Sequence, residues 1–151
     1  SNNNQIKNKT IKLKSYLGSV TDEDFIDNIF KTEEIDTVYH AAANKHVPLV
    51  EHNPVSAIKT NIFGTKIIAE NSLKYNIENF VLISSDKAVR PTNIMGATKR
   101  FAELILQALQ DKVNQLPSNE CKTKFCMVRF GNVLDTSGSV VPLFRKQIKN
   151  S

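Results

Sequence analysis

The sequence of 151 residues has no tryptophan, two cysteines and five glycines. No apolar run approaches the ~20 residues of a membrane-spanning helix, so we expect no membrane segment in this chain. Cys121 and Cys126 lack a companion pair, and zinc sites usually combine two such pairs, so no metal is predicted. We expect Cys126 to pack as a small apolar residue and Cys121 to be a free thiol. No signal peptide is recognisable and nothing requires an oxidising compartment, so a cytoplasmic location is predicted.

Positive charge is in slight excess, with 20 Lys and Arg, 15 acids and a net charge of +5. The lysines near the amino terminus have no aromatic residues at a spacing that suggests base stacking. A nucleic-acid-binding domain is therefore disfavoured, and a mildly basic surface that attracts anionic ligands fits better. His40, His46 and His52 recur every six residues, which places them on no common helical face and disfavours a metal site.

Apolar periodicity predicts strands that alternate with helices within one domain. We expect a frayed start over residues 1–10, strands over 11–17, 37–43, 80–85 and 125–134, and helices over 22–31, 53–76, 93–114 and 140–148. Thr21 with Asp24 resembles a capping box for the first helix, and Asn53 with Pro54 opens the second. This alternation predicts βαβ units and hence a parallel α/β sheet with helices on both faces.

The unusual residues fall where the predicted strands end, which is the edge at which such sheets bind ligands. They are Ser19, Ala41–Ala43, Ser84–Lys87 and Gly131–Asn132. Three alanines at a strand end leave room either for a flat ligand against the backbone or for the close packing of a helix. Their convergence at one edge predicts a site there.

Residues 82–99 form the most distinctive stretch of the chain. A strand ends in hydroxyl groups, Asp86 and Lys87 follow, and the next helix carries Met95 and Lys99 one turn apart on one face. This arrangement is typical of a catalytic centre, although an Asp-Lys pair on its own is more often a loop ion pair without chemistry.

Several motifs stand in the order of one family: HAAANKHVP from His40, SSDKA from Ser84, PTN from Pro91, MGATK from Met95 and RFGNVL from Arg129. They resemble the extended short-chain dehydrogenase/reductases, specifically the UDP-N-acetylglucosamine 4,6-dehydratases of bacterial polysaccharide and glycan biosynthesis. The resemblance covers residues 11–148 and implies a Rossmann-like NAD(P)-binding domain over residues 11–151. It also implies a UDP-sugar substrate and a homo-oligomer for the full-length protein.

The resemblance assigns roles to individual residues. It implies catalytic roles for Asp86, Lys87, Met95 and Lys99. It implies cofactor contacts for Ser19, Val20, Ala41, Ala42, Ala43, Asn61, Ile83, Ser84, Ser85 and Lys99. It implies substrate contacts for Lys45, His46, Asn93, Asn132, Val133 and Ser137.

The implied reaction oxidises C4 of the sugar, eliminates water across C5 and C6, and returns the hydride to C6. Lys87 fits the base at C5 if its pKa is lowered by burial or by Lys99, and Asp86 fits the acid at the C6 hydroxyl if it is held protonated. Lys99 would bind the nicotinamide ribose. Met95 has no ionisable proton, so Asp86, Lys87 or a water is left to deprotonate the C4 hydroxyl.

Three departures from the family pattern qualify these expectations. Met95 stands where most of the superfamily has tyrosine, as in a branch of the dehydratases anchored at the inner membrane. No Gly-x-Gly-x-x-Gly occurs, so by resemblance the chain is an internal fragment that lacks the first βαβ unit and its pyrophosphate cradle. Ser19 replaces an expected Asp at the adenine. A C4 epimerase of the same fold and a non-catalytic nucleotide-sugar-binding remnant remain as alternatives.

Overall fold

In the part of the chain that the structure describes, three parallel strands form one sheet, and their order across the sheet is their order in the chain. The structure is a computed structural model that describes residues 12–117, 120–131, 133 and 140–149. The strands are β1 (Thr37–His40), β2 (Asn79–Ser85) and β3 (Lys124–Phe130). The helices are α1 (Glu23–Thr32), α2 (Val47–His52), α3 (Pro54–Ala57), α4 (Thr65–Lys74), α5 (Ile94–Asn114) and α6 (Val140–Lys149), with a π-helical segment Ile58–Gly64 and a 3₁₀ turn Asp86–Ala88.

Alternate residues of β2 point into the core that the helices form with the sheet. Phe80 and Leu82 are buried among residues of α1, α4 and α5, and Phe80 pairs in register with Val38 and Phe125, which share its face. Right-handed crossovers that advance in one direction across a sheet place their helices on the same face. This explains why α4, between β1 and β2, lies beside α5, between β2 and β3. The predicted parallel α/β class is confirmed. The sequence predicts helices on both faces, whereas α1, α4 and α5 all pack on the face of Phe80.

The predicted strand over 11–17 is wrong for its described part, because residues 12–17 form no strand. A strand needs a neighbour for its backbone hydrogen bonds, and no described residues pair with this segment. Its apolar side chains are open to solvent, with Leu13 88% and Leu17 101% exposed. Lys14 and Tyr16 instead contact the Glu33 carboxylate beyond the end of α1.

Element boundaries differ from the predictions where pairing or capping decides them. β1 ends at His40, where its pairing with β2 ends, so the three alanines lie beyond the strand, and β3 ends at Phe130. Asp22, not Thr21, caps α1 and accepts a hydrogen bond from the Phe25 amide at 3.0 Å. Residues 1–10 and 134 lie outside the described residues.

The helix predicted over 53–76 is interrupted by the π-helical segment and ends at Lys74. Asn76 then adopts a left-handed conformation with φ of 53°, which reverses the chain towards β2. Helix α2 is absent from the sequence-based predictions, although Pro48 in its first turn is a signal for a helix start. Cys126 is exposed on the outer face of β3, which corrects the expectation that it packs, and both cysteines are free thiols.

None of the described helices is long and apolar enough to cross a membrane.

Candidate active site

The first turn of α5 packs directly on the backbone of Lys87. Asn93 caps the helix by accepting a hydrogen bond from the Gly96 amide at 2.8 Å, and the Glu51 carboxylate accepts one from the Ile94 amide at 2.7 Å. A β-carbon at Gly96 would lie 2.3 Å from the Lys87 carbonyl oxygen. Only glycine permits this approach, which fixes the distance between the helix and the Asp86–Lys87 pair.

Asp86 and Lys87 form an ion pair in the turn that follows β2, with 3.4 Å between Lys87 Nζ and Asp86 Oδ1. The Ser85 hydroxyl donates to Asp86 Oδ1 at 3.0 Å and accepts from the Lys87 amide at 3.2 Å. The hydrogen bond from Ser85, together with that from Lys87, lowers the pKa of the Asp86 carboxyl. Asp86 is therefore a carboxylate, so these contacts do not meet the condition that it be held protonated.

Lys99 projects from the second turn of α5 into the sheet and is 7% exposed. Its amine donates a hydrogen bond to the Ile83 carbonyl oxygen at 3.0 Å. Burial lowers the pKa of Lys99, and the negative charge of Glu103 offsets part of that effect. The predicted catalytic amine thus lies against the backbone of β2, three residues before Asp86.

A cavity of about 610 Å³ opens beyond the end of β1. Ala41 and Ala43, for which the resemblance implies cofactor contacts, line this cavity. Lys45 and His46, for which it implies substrate contacts, line it as well. The small alanine side chains leave room beside the backbone, and Lys45 supplies a positive charge. The structure therefore brings these two groups of predicted residues to one cavity.

Asn61 lies in the π-helical segment and anchors the wall of this cavity from behind. Its Oδ1 accepts from the Asn44 amide at 2.7 Å, and its Nδ2 donates to the Asn44 carbonyl at 3.1 Å and to Thr98 Oγ1 at 2.9 Å. Its amide group is thus engaged by protein partners that hold the chain beside Lys45. The cofactor contact that the resemblance implies for Asn61 stays a prediction.

Other predicted residues are placed as follows. Met95 is buried against Val50 and Ala57, so it packs in a small apolar cluster. Ser19 is exposed, and its hydroxyl forms a hydrogen bond with the Thr21 hydroxyl. Val20 packs against the core, whereas Val133 is exposed. Asn132 and Ser137 lie outside the described residues. Among the described residues, no three His, Cys, Asp or Glu side chains lie close enough to hold a metal ion.

Glu103, on α5, escaped the sequence analysis. Its carboxylate is fully buried and accepts hydrogen bonds from Ser84 Oγ at 2.7 Å, from Arg129 Nε at 2.8 Å, from Arg129 Nη2 at 2.7 Å and from Arg100 Nη1 at 3.0 Å. Burial alone would raise the pKa of Glu103, but these hydrogen bonds and the charge of Arg129 lower it to about 2. The available signal was its spacing of four residues from Lys99, which puts both on one helical face.

His40, at the end of β1, is a buried neutral group next to the site. Its Nε2 lies 2.9 Å from Thr65 Oγ1, and burial, with the positive charge of Lys99, lowers its pKa to about 4. The imidazole therefore stays uncharged where an exposed histidine would gain a proton.

The acid, amine and hydroxyl groups lie at the carboxyl edge of a parallel sheet, which is where open α/β sheets bind their ligands. The chain belongs to the polysaccharide biosynthesis protein family, whose model matches residues 1–151.

Three relatives illustrate the family. The probable polysaccharide biosynthesis protein EpsC of Bacillus subtilis is 53% identical over 93% of this chain and 22% of its own length. A UDP-glucose 4-epimerase of Rickettsia canadensis is 40% identical over 91% of this chain and 38% of its own. A UDP-N-acetylglucosamine 4,6-dehydratase (inverting) of Campylobacter jejuni is 36% identical over 90% of this chain and 39% of its own. The chain thus spans well under half of each relative.

Solved structures agree with this fold. Pen from Bacillus thuringiensis superposes with a TM-score of 0.77 and 38% identity over 89% of this chain and 40% of its own. A UDP-glucose 4-epimerase of Bifidobacterium longum in complex with NAD⁺ and UDP superposes with a TM-score of 0.65 and 25% identity, over 79% of this chain and 38% of its own.

Gly96→Ala is expected to destabilise the protein, although alanine usually stabilises a helix relative to glycine. The added methyl group would meet the Lys87 carbonyl at 2.3 Å, so the free energy of unfolding should fall by about 1–3 kcal/mol. Denaturant unfolding of the variant measures this, with Ala97→Ser on the next residue as the matched control, for which a change within about 0.5 kcal/mol is expected. Increased stability of Gly96→Ala would show that the close approach is absent.

The low pKa of His40 predicts a loss of stability in mild acid. The unfolded histidine, with a pKa of about 6.5, binds a proton as the pH falls below that value, whereas folded His40 does so only near pH 4. Stability should therefore fall by about 2 kcal/mol from pH 7 to pH 5 through this group. Unfolding of His40→Gln at both pH values should lack this part of the loss, while the exposed control His52→Gln should retain it; equal pH dependence in both variants would contradict the prediction.

Proposed function

We propose that the protein containing this chain is a nucleotide-sugar 4,6-dehydratase that converts UDP-N-acetylglucosamine to a 4-keto-6-deoxy sugar nucleotide in bacterial polysaccharide or glycan biosynthesis. The observation that carries this proposal is the Asp86–Lys87 pair at the carboxyl end of β2, held against the helix that bears Lys99. The dehydratase among the relatives supports it. A cytoplasmic location and an inner-membrane anchor of the full-length protein stay predictions.

The residues present fit one end of an NAD(P) cofactor. The alanines at the end of β1 offer a shallow wall in the cavity, and the buried Lys99 amine can bond to a ribose hydroxyl in addition to the Ile83 carbonyl. NAD(P)⁺ bound there would accept hydride from C4 and return it to C6. The 151 residues contain no Gly-x-Gly-x-x-Gly, so within this chain we assign no residue to the pyrophosphate.

The ionised state of Asp86 suggests an order for the proton transfers. Asp86 accepts the C4 hydroxyl proton as hydride leaves C4, and it then gives the same proton to the departing C6 hydroxyl, which leaves as water. Lys87 must first release to solvent the proton that it carries in the ion pair. It then takes the C5 proton during this elimination, returns it to C5 when hydride reaches C6, and recovers a proton from solvent. Both residues end in the state in which they began, so the cycle balances.

A C4 epimerase is the second candidate, because relatives of similar identity bear that name. An epimerase has no elimination step, so it does not need the acid and the base that Asp86 and Lys87 would supply. A single product analysis separates the two candidates, since dehydration removes one water from the sugar and epimerisation leaves the mass unchanged.

Asp86→Asn and Lys87→Ala in the whole protein are each expected to lower product formation from UDP-N-acetylglucosamine by roughly 100-fold or more, as loss of a general acid or base does. Mass spectrometry of the sugar nucleotide measures the loss of water. The exposed acid and lysine of another helix provide matched controls, Glu70→Gln and Lys66→Ala, which should retain wild-type turnover. Near-normal turnover of either site variant would remove that residue from its role, and an epimer from the wild type would refute the dehydratase.

Homo-oligomerisation of the full-length protein stays a prediction. We propose that its interface is the outer side of the π-helical segment and of α5, which pack against each other. Large apolar side chains are exposed there, including Phe63 at the end of the π-helical segment and Phe101 on α5. We expect Phe63→Asp combined with Phe101→Asp to lower the mass of the whole protein in light scattering, because a buried unpaired charge is costly at an interface. Leu116→Asp, at an exposed leucine after α5, is the control; an oligomer unchanged by the double substitution would place the interface elsewhere.

A further inference from the structure

The proposed proton transfers give no role to the Glu103 carboxylate, which is buried and ionised. It is 0% exposed, and both of its oxygens accept hydrogen bonds, from Ser84 and Arg129 on the strands and from Arg100 on its own helix. Replacing such a buried ion pair by apolar residues is often neutral or favourable for stability, so stability is a weak reason for its presence. A charged network with fixed directions is better explained by the geometry that it imposes.

The Arg129 guanidinium gives the network its direction. It donates through Nε and Nη2 to the two oxygens of Glu103, at 2.8 and 2.7 Å. This two-pronged contact fixes both the distance and the rotation of the carboxylate relative to β3, which a single ammonium group cannot do. Arg129 lies opposite Ser84 in the β2–β3 register, so one carboxylate joins α5 to both strands where they end.

Two short paths lead from this carboxylate to the catalytic groups. Along α5, Lys99 lies one turn before Glu103 on the same face. Along β2, the Ser84 hydroxyl that bonds Glu103 follows Ile83, whose carbonyl holds the Lys99 amine at 3.0 Å. Asp86 comes two residues after Ser84, so we expect a shift of Glu103 to displace both Lys99 and the start of the Asp86–Lys87 turn.

We propose that Glu103 is the positioning residue of this site and that, through Ser84 and Arg129, it sets where the Lys99 amine lies relative to the end of β2. The contribution to turnover rests on the proposed function, whereas the placement of the amine does not. Glu103 itself touches neither the cavity lining nor the Asp86–Lys87 pair in the described contacts. Its effect therefore reaches the reaction through the amine and the strand.

Glu103 also supplies the negative charge nearest to Lys99 on its own helix, which offsets the effect of burial on that amine. Among the described residues, two charged or titratable groups interact with the Lys99 amine: Glu103, and His40, whose own pKa the amine lowers. The elements around the amine carry the following titratable and charged groups: Tyr39 and His40 on β1, Glu51 and His52 on α2, Lys59 on the π-helical segment, Lys66, Glu70 and Lys74 on α4, Asp86 and Lys87 in the turn, Lys124, Cys126 and Arg129 on β3, and Arg100, Glu103, Asp111 and Lys112 on α5. Removing the charge of Glu103 leaves positive neighbours uncompensated, so the Lys99 amine should lose its proton at lower pH.

Glu103→Gln tests the proposal in the whole protein, because it keeps the shape of the side chain and removes its charge. Competitive acylation across a pH series, with mass spectrometry of the peptides, reports the reactivity of Lys99 against the exposed Lys112 of the same helix. We expect Lys99 labelling to start at lower pH in Glu103→Gln than in the wild type, and kcat to fall by roughly 100-fold with KM changed by less than about threefold. Glu70→Gln, on the exposed side of α4, should behave as the wild type in both measurements.

Unchanged labelling of Lys99 in a folded Glu103→Gln variant would overturn the proposal, whatever its turnover. If that variant does not fold, Ser84→Ala and Arg129→Lys test the proposal instead, because each weakens the contact of Glu103 with one strand and leaves its contact with the other strand. Wild-type labelling of Lys99 in both variants would equally overturn the proposal. A wild-type protein that forms no dehydrated product would defeat the proposed function alone, because the labelling comparison does not depend on turnover.

Discussion

A carboxylate buried between a helix and two strand ends must be neutralised where it lies, and Glu103 meets that requirement with two arginines and a serine. The desolvation cost of the buried carboxylate is offset only when its hydrogen-bond donors hold their positions. For that reason the network joins α5, β2 and β3 at the edge where the candidate site lies. Removing Arg129 would take two of the four described hydrogen bonds from this buried carboxylate, whereas removing Ser84 would take one.

The rest of the site is built outward from this junction. Gly96 lets the first turn of α5 lie on the Lys87 carbonyl, and Asn93 caps the same turn. On the other side, Asn61 holds Asn44 by both backbone groups and so shapes the cavity wall next to Lys45. The backbone of the exposed Asp86–Lys87 pair and of Lys45 is thus held by buried groups.

The local signals in the sequence predicted much of the fold and part of the site. The alternation in β2 and the periodicity of α5 marked elements that the structure confirms, because each buries one clear face. The alternation of residues 12–17 was misleading, since a strand pattern becomes a strand only when a neighbour supplies its hydrogen bonds. The position of Asp86 and Lys87 after β2 was visible, but the ionised state of Asp86 was not, because the Ser85 hydroxyl that favours it is a matter of side-chain orientation.

By itself the sequence determined the parallel α/β class, the residues available at the carboxyl edge and the family to which they point. These follow from local periodicity and from motifs that are contiguous in the chain. Only the tertiary structure decided that Glu103 on α5 meets Arg129 on β3, 26 residues later, and that Lys99 ends on the Ile83 carbonyl. Partners so far apart in sequence are chosen by the register of the strands and the docking of the helix, and no local pattern encodes either.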